Sequence, residues 1–200
     1  MRIACLLVAD LPLAAELRAH PELRGAPLAI VSGVGSRAGI LAISPEAARS
    51  GVRPFTTVVH GRAACAELCV RVASPALERA ARDALLDAAL STSPRAEMAP
   101  PSSGIYAAEA AVYIDARGIT SLFQSEAGFA GALIARAEKL GLPALVAIAS
   151  SRGVAQIAAR RCAGTPGATE VLAPGGDAAF LAPLPIDLLN PEDELAQSHT

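Results

Sequence analysis

Tryptophan is absent from this chain, and four phenylalanines and two tyrosines are its whole aromatic complement. A core without bulky rings must be assembled from aliphatic side chains at close range. The chain is 52% hydrophobic with alanine foremost, which argues for closely packed helices and against disorder. Charge is sparse too, at 18% of residues with a formal net charge of −2, so the basic signature of a chain that grips nucleic acid by itself is missing. No apolar run reaches the ~18 residues of a membrane helix. The start MRIACLLVADLP breaks at Asp10 and Pro12, where a secretory signal would continue its apolar core, and a cytoplasmic location is expected. The four cysteines (Cys5, Cys65, Cys69, Cys162) sit mostly in apolar segments and read as reduced, buried thiols. Cys65 and Cys69 have no second pair or histidines near them to complete a metal site.

Two strong strand signals stand out. Ile3 to Ala9 (IACLLVA) is a continuous apolar run that must be buried. Glu109 to Gly118 (EAAVYIDARG) combines β-branched and aromatic residues with a glycine stop. Alternation places Ala108, Ala110, Val112 and Ile114 on one face and Glu109, Ala111, Tyr113 and Asp115 on the other. One face is apolar and the other mixed, as in a sheet covered by helices on one side.

In chain order, the first strand leads into a helix bearing Leu13 and Leu17 that Pro21 stops. Pro27 to Ser32, a glycine-containing turn and Ile40 to Ser44 read as a hairpin. The turn GVGSRAG has the spacing of neither a P-loop nor a dinucleotide fingerprint. A short helix follows at Pro45 to Ser50, then a helix at Arg62 to Cys69 and a strand at Val70 to Ala73. Ser74 and Pro75 cap and start the clearest helix, carrying Leu77, Ala81, Leu85 and Leu86 on one face. A strand at Arg95 to Ala99 and a turn at Pro100 to Gly104 precede the central strand. Beyond it come a helix at Ser125 to Leu140, a strand at Leu145 to Ala149, a helix at Ser151 to Arg161, a strand at Glu170 to Leu172 and a helical turn at Asp177 to Leu181. Removing the insertion between Pro27 and Ala73 leaves strand, helix, strand, strand, helix, strand. The expected class is therefore α+β, ferredoxin-like, with helices on one face of an antiparallel sheet and an inserted small α/β lobe.

These residues carry a resemblance to the palm and fingers of the Y-family, lesion-bypass DNA polymerases. Ile3, Glu16, His20-Pro21, Leu23, Gly25 and Pro27 stand at the intervals of the family's opening strand and helix. Glu46-Ala47-Ala48 with Gly51-Val52-Arg53 is similar to its fingers pattern, and Ala110 to Asp115 (AAVYID) to its acidic palm motif. Gly141-Leu142, Ala155, Ile157-Ala158 and the PLPIDLL of Pro183 to Leu189 match the end of the palm. The resemblance implies a palm at residues 1–26 and 74–189, a fingers-like insertion at 27–73, and at 190–200 a flexible tail approaching a thumb that lies beyond the last residue.

The departures bear on activity. The family's metal-holding carboxylates, which activate the primer hydroxyl and neutralise the triphosphate, fall on Leu7, Ala110 and Ala111. The Asp whose backbone helps bind metal falls on Ala9, the aromatic that rejects ribose near Pro12, and the triphosphate-gripping residues on Pro45, Ala48 and Gln156. Asp10 would serve only after a register slip that breaks the downstream matches. Glu109 reads as a solvated carboxylate and Asp115 as a hydrogen-bonded structural one. They stand about 20 Å apart along an extended strand, too far to share a metal pair. The resemblance thus narrows to the catalytically inactive ImuB type, with no metal and no cofactor. The expected partners are a RecA-like accessory protein, a C-family error-prone polymerase and the sliding clamp, in bacterial DNA-damage-induced mutagenesis, with weak or no DNA binding by this stretch and no membrane. An active lesion-bypass polymerase would need Asp10, Glu109 and Asp115 to bind metal in an unfamiliar geometry. A ferredoxin-like ligand-binding or regulatory domain would need a roofed pocket on the open sheet face.

Overall fold

The computed structural model describes residues 1–101, 108–165 and 167–185. The end of the expected turn at Pro100 to Gly104, the last four residues of PLPIDLL and the expected tail from residue 190 lie outside the described residues. Along the chain run β1 (Ile3–Val8), α1 (Leu11–Ala19), a 3-10 turn (Pro21–Leu23), β2 (Leu28–Val31), β3 (Ile40–Ile43), α2 (Pro45–Arg49), α3 (Val58–Ala64), β4 (Cys69–Val72) and α4 (Pro75–Leu90). β5 (Ala96–Met98), β6 (Ala110–Asp115), α5 (Thr120–Phe123), α6 (Glu126–Lys139), β7 (Leu145–Ala149), α7 (Arg152–Arg161), β8 (Thr169–Val171) and α8 (Asp177–Leu181) follow. Among the described residues no helix is long and apolar enough to cross a membrane.

By its internal contacts the chain divides into two units. The first comprises residues 1–9, 85–139 and 143–200, and the second residues 10–84 and 140–142.

The first unit holds a five-stranded sheet in the order β5-β6-β1-β7-β8. β1 pairs antiparallel with β6 on one side and β7 on the other, and β8 lies parallel to β7. Strand, strand pair and strand in this arrangement give the expected α+β, ferredoxin-like order. β1 is buried on both faces, which is why it reads as an unbroken apolar run. Burying each of Leu6 and Leu7, both fully covered, contributes about 1.5–3 kcal/mol relative to exposure. α6 packs on β7 and β1 through a stripe that includes Phe129, Leu133 and Ala137.

α7 packs on β7 and β1 too, but its Val154, Ala155, Ala158 and Ala159 join the odd-numbered Ile3, Cys5 and Leu7 and share no residue with the α6 stripe. The two helices therefore take opposite faces of the sheet, since alternate side chains of a strand point to opposite sides. The face expected to be open is covered. Alanine makes this possible, because small side chains at Ala155, Ala158 and Ala159 let the helix approach the strands closely.

The second unit holds a three-stranded sheet, β3-β2-β4, with β2 antiparallel to β3 and parallel to β4. A bulge between Ile30 and Val31 marks the expected hairpin. Ser44 ties this lobe together, since its buried hydroxyl accepts from the amides of Leu28 (3.0 Å) and Ala47 (3.3 Å) and donates to the Ala26 carbonyl (2.9 Å). α1 contacts β2 and β3.

One helix is displaced from its expected place: α3 spans Val58–Ala64, not Arg62 to Cys69. Cys65 caps it in extended conformation, and Leu68 turns back into the core. Gly61 permits this placement: a Cβ there would come within 2.9 Å of Ile40 Cδ1 and of Leu68 Cδ2, so the missing side chain lets the helix lie this close to β3. α5 has no counterpart in the expected elements.

Candidate functional site

The centre of interest is where β1 and β6 pair. Their register sets Leu7 directly opposite Ala111, and Ala110 opposite Val8. Leu7 and Ala111 thus share one face, with side chains about 4.5–5.5 Å apart by strand geometry. Ala110, the next residue along, falls on the alternate face. Leu7 is fully buried and Ala111 3% exposed, both within the apolar cluster that α7 closes.

Beside this apolar pair runs a polar ladder. Alternation in the strand puts Glu109 and Tyr113 on the face of Ala111, and spacing by four on α7 aligns Arg152, Gln156 and Arg160 along one stripe. Two strand residues rise about 6.6 Å and four helix residues about 6 Å, so the two rows stay in step. Tyr113 donates its hydroxyl to Gln156 Oε1 at 2.6 Å, and Gln156 Nε2 donates to Glu109 Oε1 at 2.6 Å. Arg160 closes on the same carboxylate through Nη2 to Oε1 at 2.5 Å and Nε to Oε2 at 3.0 Å. Arg152 lies over the Tyr113 ring, 5.6 Å from its centroid.

Glu109 is therefore not the solvated carboxylate that its sequence context suggests. Its side chain is 4% exposed and that of Arg160 11%. A buried carboxylate requires a counter-charge, and Arg160 supplies it from a helix 51 residues away. Burial pushes the Tyr113 phenol up to about 12, so it stays protonated and donates to Gln156. Burial likewise raises the Cys5 thiol, which sits inside the same cluster as an inert apolar residue.

Asp115, at the other end of β6, accepts from Arg117 Nε (2.9 Å) and Nη2 (2.6 Å) and from Arg95 Nη1 (3.2 Å). Arg117, then Arg95, hold its carboxyl well below the usual carboxylate range. Two guanidiniums saturate it. Among the described residues no group of three or more His, Cys, Asp or Glu side chains is placed to hold a metal ion.

The remaining candidates fall in the second unit, apart from Ala9 at the end of the first. Asp10 precedes α1 as an exposed residue whose side chain makes no cap bond, and Pro12 is buried in the first turn of that helix. Pro45 is the exposed first residue of α2 and Ala48 is half-buried on it. Cys65 and Cys69 pack into two different apolar clusters, one with Val58 and Leu68 and the other with Leu13 and Leu28.

Sequence reasoning missed the ladder and Arg160 in particular. The available signal was the stripe Arg152, Gln156, Arg160 at four-residue spacing, three polar residues on a helix whose buried positions are alanine and valine.

No curated protein matches the chain. Solved structures do. The post-insertion binary complex of Dbh DNA polymerase aligns with a TM-score of 0.71 at 18% identity, over 94% of this chain and 53% of that one. DinB from Sulfolobus solfataricus aligns with a TM-score of 0.70 at 19% identity, over 97% of this chain and 57% of that one. This chain thus spans a little over half the length of each. At these identities the likeness carries the fold, a Y-family palm and fingers. The model of the impB/mucB/samB family matches residues 10–160, three quarters of the sequence, and on that match the chain belongs to the impB/mucB/samB family of Y-family, lesion-bypass polymerases.

Proposed function

We propose that this chain is a non-catalytic member of its family, of the ImuB type, acting as a protein-interaction scaffold in bacterial DNA-damage-induced mutagenic translesion synthesis. The observation that carries the reading is the cross-strand pair Leu7 and Ala111, two alkyl groups in register where the family's metal-holding carboxylates are expected. A divalent ion entering there would lose its water and gain no anionic ligand. The nearest carboxylate along β6, Glu109, is engaged by Arg160 and Gln156. Pro45, Ala48 and Gln156 offer no cation to a triphosphate. With a net charge of −2, few phosphate contacts are available, so counterion release contributes little to DNA binding. What remains is surface, and the partners we assign to it are a RecA-like accessory protein, a C-family error-prone polymerase and the sliding clamp, in the bacterial cytoplasm.

Three measurements test this. Calorimetry with Mg²⁺ and Mn²⁺ should show no binding tighter than millimolar, and primer extension should be nil; a stoichiometric micromolar site with nucleotide incorporation would overturn the non-catalytic reading. A pull-down from DNA-damaged bacterial cells should enrich the three partners over undamaged cells, and recovery of none of them would overturn the scaffold role.

A further inference from the structure

At the opposite end of the β1–β6 pair from Ala110 lies a cleft of about 290 Å³ with a distinct chemistry. Its apolar lining is Met1, Ile3 and Tyr113, and its cationic lining is Arg95, Arg117 and Arg152. Ile3 faces Asp115 in the register, four residues along from the Leu7 and Ala111 pair, so the cleft is about 13 Å from it by strand rise.

The charges do not cancel. Three guanidiniums meet two carboxylates, Asp115 and Glu97. Asp115 is shared by Arg117 and Arg95, while Arg152 Nη1 reaches Glu97 at 2.5 Å. The arginine side chains are 72%, 60% and 54% exposed in the order Arg95, Arg117, Arg152, so donors not spent on these pairs reach solvent. An excess cation thus collects beside apolar side chains in a chain whose net charge is −2.

We propose that this cleft docks an acidic segment of a protein partner, one in which carboxylates alternate with apolar side chains. Charge complementarity selects the carboxylates, since guanidinium binds carboxylate in fork geometry. The apolar lining selects a peptide over nucleic acid, because apolar side chains between the carboxylates can pack on Met1 and the Tyr113 ring, whereas a phosphate backbone has nothing apolar to set there. The inference does not rest on the loss of catalysis, which concerns other residues.

The test is fluorescence anisotropy of the chain with a short fluorescein-labelled peptide alternating glutamate and leucine. The parent should bind it in a salt-weakened manner and should not bind the counterpart in which lysine replaces glutamate. Arg95→Glu with Arg152→Glu should weaken binding by about tenfold or more, and Arg95→Gln alone by a smaller factor, both with unchanged circular dichroism. Equal binding by parent and variants, no binding by the parent, or displacement of the peptide by duplex DNA at concentrations below those of unlabelled peptide would each overturn the proposal.

Discussion

Glu109 and Arg160 form a buried ion pair at 2.5 Å across 51 residues of sequence, joining the start of β6 to the last turn of α7. Removing one partner strands the other charge in a site that water barely reaches. Arg160→Ala should therefore cost about 3–5 kcal/mol, and Glu109→Leu a similar amount, whereas an exposed pair would cost under about 1 kcal/mol. The double replacement Glu109→Leu with Arg160→Met should cost clearly less than the sum. A double-mutant cycle by urea denaturation measures this, and additive, sub-kilocalorie effects would show that the pair is solvated.

Gly61→Ala should destabilise the second unit. The added methyl would lie 2.9 Å from both Ile40 Cδ1 and Leu68 Cδ2, each of them packed in the buried cluster of that sheet, so neither can swing away into solvent. Overpacking of this kind costs about 1–3 kcal/mol, which over most of that range exceeds the gain in helix propensity of about 1 kcal/mol that the same change brings at an open helical site. Thermal unfolding of the variant checks the sign, and an increase in Tm would mean that α3 can move off β3 without loss.

What the sequence revealed and what it hid divide along a physical line. β1, β6 and β7 are legible to within three residues because each is an apolar run bounded by polar or glycine stops, and burial on both faces leaves no other place for it. α7 is legible through its capping serine, Ser151, whose hydroxyl accepts from the Val154 amide. α3 is not, since Val58 and Val59 are β-branched and local preference favours a later start; the contact that overrides it is made by Gly61 with residues of other elements. The candidate site follows the same rule. That Leu7 and Ala111 are apolar is written in the sequence, but their facing each other depends on strand register, and the burial of Glu109 on an arginine that no local pattern attaches to it.

Asp115 should make stability depend on acid. Its folded carboxyl titrates well below the usual range because Arg117 and Arg95 favour the anion. Above about pH 4, the ordinary value of an unfolded Asp, both states are ionised and the stabilisation is fully present. As pH falls below that value the unfolded chain takes up the proton first, so the contribution shrinks toward zero as the folded value is approached. The arginines are 72% and 60% exposed, so the scale is that of surface pairs, about 1 kcal/mol or less. Denaturation of the parent and Asp115→Asn from neutral pH to about pH 2 should show a gap that closes in acid; a gap that stays constant would trace it to hydrogen-bond geometry rather than charge.

The register of β1 on β6 makes a sharper prediction about metal. Leu7→Asp with Ala111→Glu would set two carboxylates face to face on neighbouring strands, in a cluster where Leu7 is fully buried, and their repulsion and desolvation should make the double variant much less stable than the parent. A divalent ion would relieve that repulsion by binding only the folded state, so millimolar Mn²⁺ should raise the Tm of the double variant and leave the parent unchanged. Ala110→Asp alone should show no metal response, because Ala110 lies opposite Val8 on the other face. Should the double variant fail to fold without metal, Ala111→Glu alone is the milder insult and should show a smaller metal-dependent rise. Nucleotide incorporation should stay at background in every variant, since Pro45, Ala48 and Gln156 are unchanged. Thermal unfolding with and without Mn²⁺ reads the outcome: a metal response in Ala110→Asp and none in the double variant would mean that the strand register is not the one described.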